Sequence, residues 1–172
     1  MTDPAALVVI QPSYGSPEVR RHWADTLDTE VPFAEPHYAD ALRAEDLSRL
    51  RALHPSGSAR FWGTTERHDH RVDRLSTGDV AVLTGAKHVR AIGRIGHLVR
   101  APEFARRLWT PDPARCLWSN VYSLTDYRRV QVPYEVVWAL PGFTAGDNFM
   151  GLRLLTPEKS AVIIAGLDAA TR

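Results

Sequence analysis

From residue 59 onward the apolar residues come in short blocks rich in β-branched side chains, each closed by turn formers, which limits the chain to a fold built on a small sheet. The blocks run over 59–64, over 80–84 after the turn Ser76-Thr77-Gly78-Asp79, over 91–99 and over 117–124, with a fifth over 129–132 or 136–140. One helix interrupts them. Ala101-Pro102-Glu103 opens it, Phe104, Ala105, Leu108 and Trp109 make its apolar face, and Thr110-Pro111-Asp112-Pro113 stops it. After the break at Pro141-Gly142 the chain continues over 143–155, and the apolar tail over 160–170 closes the fold as a helix or a strand.

Ahead of residue 59 the pattern differs. Residues 5–10 read as a buried strand ending in the turn Gln11-Pro12-Ser13-Tyr14-Gly15. Ser16-Pro17-Glu18 then supplies an N-cap, a proline at the first helical position and an acid in the first turn. Val19, His22, Trp23, Thr26 and Leu27 follow on one helical face, so His22 and Trp23 read as packing residues. Residues 31–41 are irregular. A second helix is predicted over 45–53 with Leu47, Leu50 and Leu53 inward, and His54-Pro55-Ser56-Gly57-Ser58 ends it. That stop divides an N-terminal layer, 1–58, from the sheet-bearing part, 59–172. The sum is an α+β fold: a small antiparallel sheet, curved or barrel-like, with flanking helices and an N-terminal strand-helix extension.

A chain of 172 residues buries one good core without covalent staples. Its 21 Lys and Arg against 20 Asp and Glu give a formal net charge of +1, so no global field draws it onto a polyanion and any nucleic-acid contact needs a local patch. Lys87 and Lys159 are the only lysines. Arginine suits bidentate phosphate contacts and stacking on bases, though a GC-rich genome produces the same bias. Cys116 is the only cysteine, which excludes an internal disulfide and a multi-cysteine zinc site and suits a reducing cytoplasm. The start Met1-Thr2-Asp3-Pro4 lacks a basic n-region, and the apolar run behind it is too short for a signal or a span.

Five tryptophans is a high count for this length. Three sit in the contexts Phe61-Trp62-Gly63-Thr64, Arg106-Arg107-Leu108-Trp109 and Leu117-Trp118-Ser119-Asn120-Val121-Tyr122. Reading a base outside a duplex calls for flat aromatic walls and a polar group aimed at the base edge, and strand alternation puts Trp118, Asn120 and Tyr122 on one face. The same residues serve equally as core cover, with Asn120 bonded to a neighbouring loop. Arg60, Arg67, His68, His70, Arg71 and Arg74 make a basic segment after Trp62, and Lys87-His88-Val89-Arg90 a second in a turn between strands. Such loops grip phosphates or are simply solvated. His68-Asp69-His70 has metal-ligand chemistry but no third His or Cys placed beside it. Cys116 lies next to Arg115 without a Cys-His-Asn constellation, and the glycines over 142–151 match no nucleotide-binding motif, so the sequence calls for no cofactor.

The ordered string Phe61-Trp62-Gly63, Gly78-Asp79 leading into Val80-Ala81-Val82-Leu83, Ile92-Gly93-Arg94-Ile95, a helix ending Arg107-Leu108-Trp109, and Leu117-Trp118-Ser119-Asn120-Val121-Tyr122-Ser123-Leu124 resembles the PUA-like superfamily. Within it, the likeness is to EVE-type and YTH-type modified-base readers, including those fused to modification-dependent restriction nucleases, over about 59–155. The resemblance implies a small barrel whose aromatic cage receives a methylated base flipped out of its strand, with no catalysis. It implies Trp62, Trp109 and Trp118 as cage walls; beside them the residues themselves offer Thr64, Ser119, Asn120 and Tyr122 as base contacts and Arg60, Arg67, Arg71, Lys87, His88 and Arg90 as backbone contacts. The expected partner is DNA carrying N6-methyladenine or a 5-substituted cytosine, with modified RNA or tRNA as the alternative and a nuclease acting in trans. The rival from another class is a small hydrolase or nuclease using His68, Asp69 and His70 with Asp73 or Asp79 on a divalent metal.

Overall fold

Strand β1, Val8–Pro12, is the predicted N-terminal apolar run, and in this computed structural model, which describes residues 5–109 and 117–172, it lies inside the sheet. The remaining elements in chain order are α1 (Pro17–Thr26), α2 (Pro36–Ala39), α3 (Ala44–Leu53), β2 (Arg60–Thr64), a single 3-10 turn at Glu66–His68, α4 (Asp69–Val72), β3 (Val80–Gly85), β4 (His88–Arg100), α5 (Pro102–Leu108), β5 (Asn120–Pro133), α6 (Tyr134–Trp138), β6 (Arg153–Leu154) and α7 (Pro157–Ala170). Six strands form one sheet in the order β2-β5-β4-β3-β1-β6. The architecture is α+β, as the sequence predicts. The expected helix stop over 110–113 and Cys116 fall outside the described residues.

The chain divides into two units, and the long strands β4 and β5 contribute to both. The first comprises Met1–Ser16, Gly78–Arg94 and Asp126–Arg172. In it β1 runs parallel to β3, with Val8 opposite Val80, and antiparallel to β6. A parallel pair requires a long crossover, and here the crossover carries Pro17–Thr77, which belongs to the second unit. Val8, Ile10, Val80, Val82, Ile92, Tyr134, Phe149, Ile163 and Leu167 form the first unit's core. Helix α7 starts from Thr156, whose hydroxyl accepts the Lys159 N–H, with Pro157 in the first turn. Antiparallel β3 and β4 are joined through Ala86 and Lys87 at φ 51° and 60°, a left-handed pair matched to the twist of a hairpin.

The second unit comprises Pro17–Thr77 and Ile95–Thr125, so the stop at 54–58 lies within it. Strand β2 pairs antiparallel with β5, Trp62 opposite Tyr122 and Thr64 opposite Asn120. Phe33, Leu50, Phe61, Phe104, Leu108, Trp109 and Val121 pack together.

Three expectations are corrected here. The strand predicted over 117–124 begins at Asn120 and runs on to Pro133, with Asp126 and Arg128 on the exposed side of the continuing strand and Tyr127 between them less exposed. The 136–140 block falls largely in α6, and the 129–132 block is the far end of β5, so neither forms a separate strand. Leu53, the last residue of α3, is 36% exposed while Leu50 is buried, so the inward face ends a turn earlier than expected. Among the described residues no helix is long and apolar enough to cross a membrane.

Candidate nucleic-acid interface

Four of the five tryptophans meet in the second unit. Helix α1 carries Trp23 and His22 on its buried face, β2 carries Trp62, Trp109 caps the C-terminal end of α5, and Trp118 leads into β5. Trp62 lies edge-on to Trp23, Trp109 and Trp118, with centroids at 5.8, 6.4 and 5.0 Å. Trp118 is also 5.3 Å from Trp109 and 4.6 Å from His22, whose imidazole stacks on Trp109 at 5.6 Å. Each such pair adds about 0.5–1.5 kcal/mol beyond the area it buries. Glycine makes this approach possible: a Cβ at Gly63 would stand 3.0 Å from Trp109 Cη2 and 2.5 Å from the Asn120 carbonyl oxygen. The triplet Phe61-Trp62-Gly63 therefore encodes a core aromatic, a cluster aromatic and a gap for a third ring.

The cluster is closed. Trp62, Trp109 and Tyr122 are 0, 2 and 1% exposed, so they present no open cage wall; Trp118, half-buried, is the member that meets solvent. Burial pushes the Tyr122 phenol well up from its ordinary value. Trp23 Nε1 donates to Asp28 at 3.0 Å and Trp109 Nε1 to Thr26 Oγ1 at 3.1 Å. Trp62 Nε1 is buried with no partner among the described residues, an omission that costs about 1–3 kcal/mol and is rare in a settled core. His22 is held neutral: burial, then the nearby Arg21 charge, pushes its pKa down to about 4.

Asn120, expected at a base edge, has protein partners for its amide. Its Oδ1 accepts from Arg100 Nε at 2.9 Å, and its Nδ2 donates to Asp69 at 2.6 Å and to the Thr65 carbonyl at 3.2 Å, so the protein uses the amide. Arg100 also reaches Asp73 at 2.8 Å. Thr64 is buried, its hydroxyl donating to the Thr65 carbonyl at 2.9 Å. Beside this network lies a cavity of about 520 Å³ lined by Thr65, Glu66, Arg67, Asp69, Arg100, Pro102, Arg106, Leu117 and Ser119, within the size range of ligand pockets. Ser119 and Arg67 were expected at the site. Arg100 and Arg106 were not, because their strand end and helix come together with the 66–69 turn only through tertiary folding.

The other basic residues divide. Arg60, at the start of β2, is tied to the Leu27 carbonyl at 2.8 Å and to Glu30 at 3.2 Å. Arg71 sits 3.5 Å from His68 Nδ1 on the 66–72 turns, which are short helices where loops were expected. Lys87, His88 and Arg90 belong to the first unit. His88 Nδ1 is 2.8 Å from the Ala86 carbonyl, and the Arg90 guanidinium lies 3.9 Å over the Tyr14 ring with its Nε buried and unpartnered. The first unit also has a cavity of about 270 Å³, floored by Val80, Val82 and Ile92.

The metal arrangement weighed from the sequence does not assemble among the described residues. Asp69 is engaged by Asn120 and Arg100, Asp79 accepts the Leu7 N–H at 2.8 Å in the first unit, and among the described residues no three His, Cys, Asp or Glu side chains gather as metal ligands. His54 Nε2 stands 2.9 Å from Ser123 Oγ, the spacing of a nucleophile and its base, yet Ser123 is 0% exposed and its oxygen also accepts the His97 N–H at 2.9 Å. That pair, with His97 bonded to Asp46 at 2.8 Å, is a buried brace. Burial lowers the pKa of His54.

No family model matches the chain, and no curated protein matches it. Among solved structures, it is similar to the N-terminal domain of Thermococcus gammatolerans McrB bound to m5C DNA, with a TM-score of 0.68 over 96% of this chain and 99% of that one, at 11% identity. The likeness is one of fold, and it agrees with the α+β architecture the sequence predicts.

Proposed function

We propose that this chain is a non-catalytic reader of a modified base in DNA, a 5-methylcytosine turned out of the duplex and received by the aromatic cluster of the second unit. The observation that carries this reading is the convergence of Trp23, Trp62, Trp109 and Trp118 at one place in a fold shared with a domain solved on m5C DNA. The base enters at Trp118, which turns outward and stays as the outer wall, stacked on the incoming ring. Stacking of this kind contributes about 1–3 kcal/mol per base. The flanking backbone lies over the cavity bracketed by Leu117 and Ser119, where Arg67 meets its phosphates. A methyl group taken into dry aromatic surroundings adds about 0.8 kcal/mol, several-fold in affinity.

The test is a matched panel of oligonucleotides carrying cytosine, 5-methylcytosine, adenine or N6-methyladenine at one position, as DNA and as RNA. The expected result is several-fold tighter binding to the 5-methylcytosine DNA than to its unmodified twin. Equal affinity across the panel at moderate salt contradicts the reading, and a preference confined to the RNA arm moves it to a modified-RNA reader.

A further inference from the structure

His22 and Trp62 present the aromatic cluster with one spare hydrogen-bond acceptor and one spare donor. His22 Nδ1 lies 3.2 Å from the Glu18 carbonyl oxygen. A carbonyl only accepts, so the neutral ring carries its hydrogen on Nδ1 and leaves a bare lone pair on Nε2. That nitrogen has no partner among the described residues. Trp62 Nε1–H is buried and likewise unpartnered. The two rings flank the same neighbour, the Trp118 indole, with centroids at 4.6 and 5.0 Å from it. For Trp62 the unmade bond is a standing penalty that an aromatic cluster serving only as core has no use for.

We infer that His22 Nε2 and Trp62 Nε1–H are the edge readers of the inserted base, His22 accepting from the 4-amino group of cytosine and Trp62 donating to its ring N3. This rests on the base-reader proposal and adds its specificity: the rings select a flat, methylated base, and the two nitrogens select one whose Watson–Crick edge sets an amine beside an unprotonated ring nitrogen. Both atoms are fixed before binding, Nε2 by the Glu18 carbonyl and the Trp62 ring by its packing against Trp23 and Trp109, so little order is lost on contact. A keto base offers no amine at position 4 and leaves His22 unpaired unless it shifts its ring and misplaces its methyl.

A double-mutant cycle tests this. Affinities are measured for wild type and His22→Phe on duplexes carrying 5-methylcytosine or 5-methyl-2-pyrimidinone, which lacks the 4-amino group, with melting temperatures as the folding control. Phe keeps a ring against Trp109 and Trp118. Any change in ease of flipping is common to both proteins and cancels in the cycle. The amine should be worth about fivefold or more to the wild type relative to the variant, so that the variant scarcely distinguishes the two bases. A second substitution, 3-benzothienylalanine in place of Trp62, keeps the ring shape without the N–H, and should lower affinity for the 5-methylcytosine duplex about fivefold with no loss of melting temperature. If wild type prefers methylated over unmethylated DNA but the cycle shows no coupling, or if the benzothienyl protein binds as wild type, the edge-reader assignment is wrong while the reader proposal stands. If wild type shows no methyl preference at all, both fall together.

Discussion

Trp109 and Trp118 carry the same side chain at different depths, and burial separates what their removal should do. Trp109 is almost wholly buried, packs over Gly63 and donates to Thr26, so Trp109→Ala should lower unfolding free energy by about 3–5 kcal/mol. Trp118 is half-buried. Trp118→Ala should cost about 1–3 kcal/mol in binding of methylated DNA with a smaller effect on melting. If the alanine at 118 melts early yet binds normally once folded, Trp118 is a core residue. His22 gives a second residue-scale outcome. Its pKa is about 4 in the fold against 6.5 ordinarily, so between those values the unfolded chain binds the extra proton and the folded one does not. Its contribution is therefore fully present above pH 6.5 and lost progressively as pH falls toward 4. Urea midpoints at pH 7.5 and 5 should show a drop in wild type that His22→Phe reduces. A residual slope is expected from His54 and His68, whose pKa values are also lowered, chiefly by burial.

Between elements, the β2–β5 pairing brings Trp62 and Gly63 to Tyr122 and Val121 and so sets where the cluster forms. Gly63→Ala puts a methyl 2.5 Å from a backbone oxygen that cannot swing aside, and should destabilise by about 1–3 kcal/mol or more in a denaturant titration. The β3–β4 turn predicts the opposite sign: replacing Ala86-Lys87 by Asn-Gly suits its left-handed φ values and should raise stability by about 1 kcal/mol. Helices α1, α3 and α5 and strands β2, β3 and β4 were legible in the sequence because their stops are local, a proline at a helix start or a Gly-Asp turn before a strand. The length of β5 was not legible, since exposed charges on one strand face look like a turn until the partner strand is known. The site was legible in part for the same reason. Aromatic residues announce themselves by type, which drew attention to Trp62, Trp109 and Trp118. That Asn120 serves Arg100 and Asp69, and that His22 reaches the same cluster from another helix, depends on contacts across 20 to 96 residues of chain, which no local pattern encodes.

For the whole molecule, a net charge of +1 with arginines gathered on the 65–71 turns and α5 sets an electrostatic expectation. Affinity for unmodified DNA should be weak and salt-sensitive. Arg67→Ala should weaken methylated and unmethylated duplexes alike and flatten the salt dependence by close to one unit of slope, leaving the methyl preference intact. A lost preference with an unchanged slope would place Arg67 in the base pocket. The central claim is that a methylated base leaves the duplex and enters the aromatic cluster, and 2-aminopurine placed next to the 5-methylcytosine reports it directly through loss of stacking. Saturating protein should raise its fluorescence several-fold on the methylated duplex and little on the unmethylated one, with the rise reduced in Trp118→Ala at equal concentration. Tight, methyl-selective binding without any change in that fluorescence would contradict base extrusion.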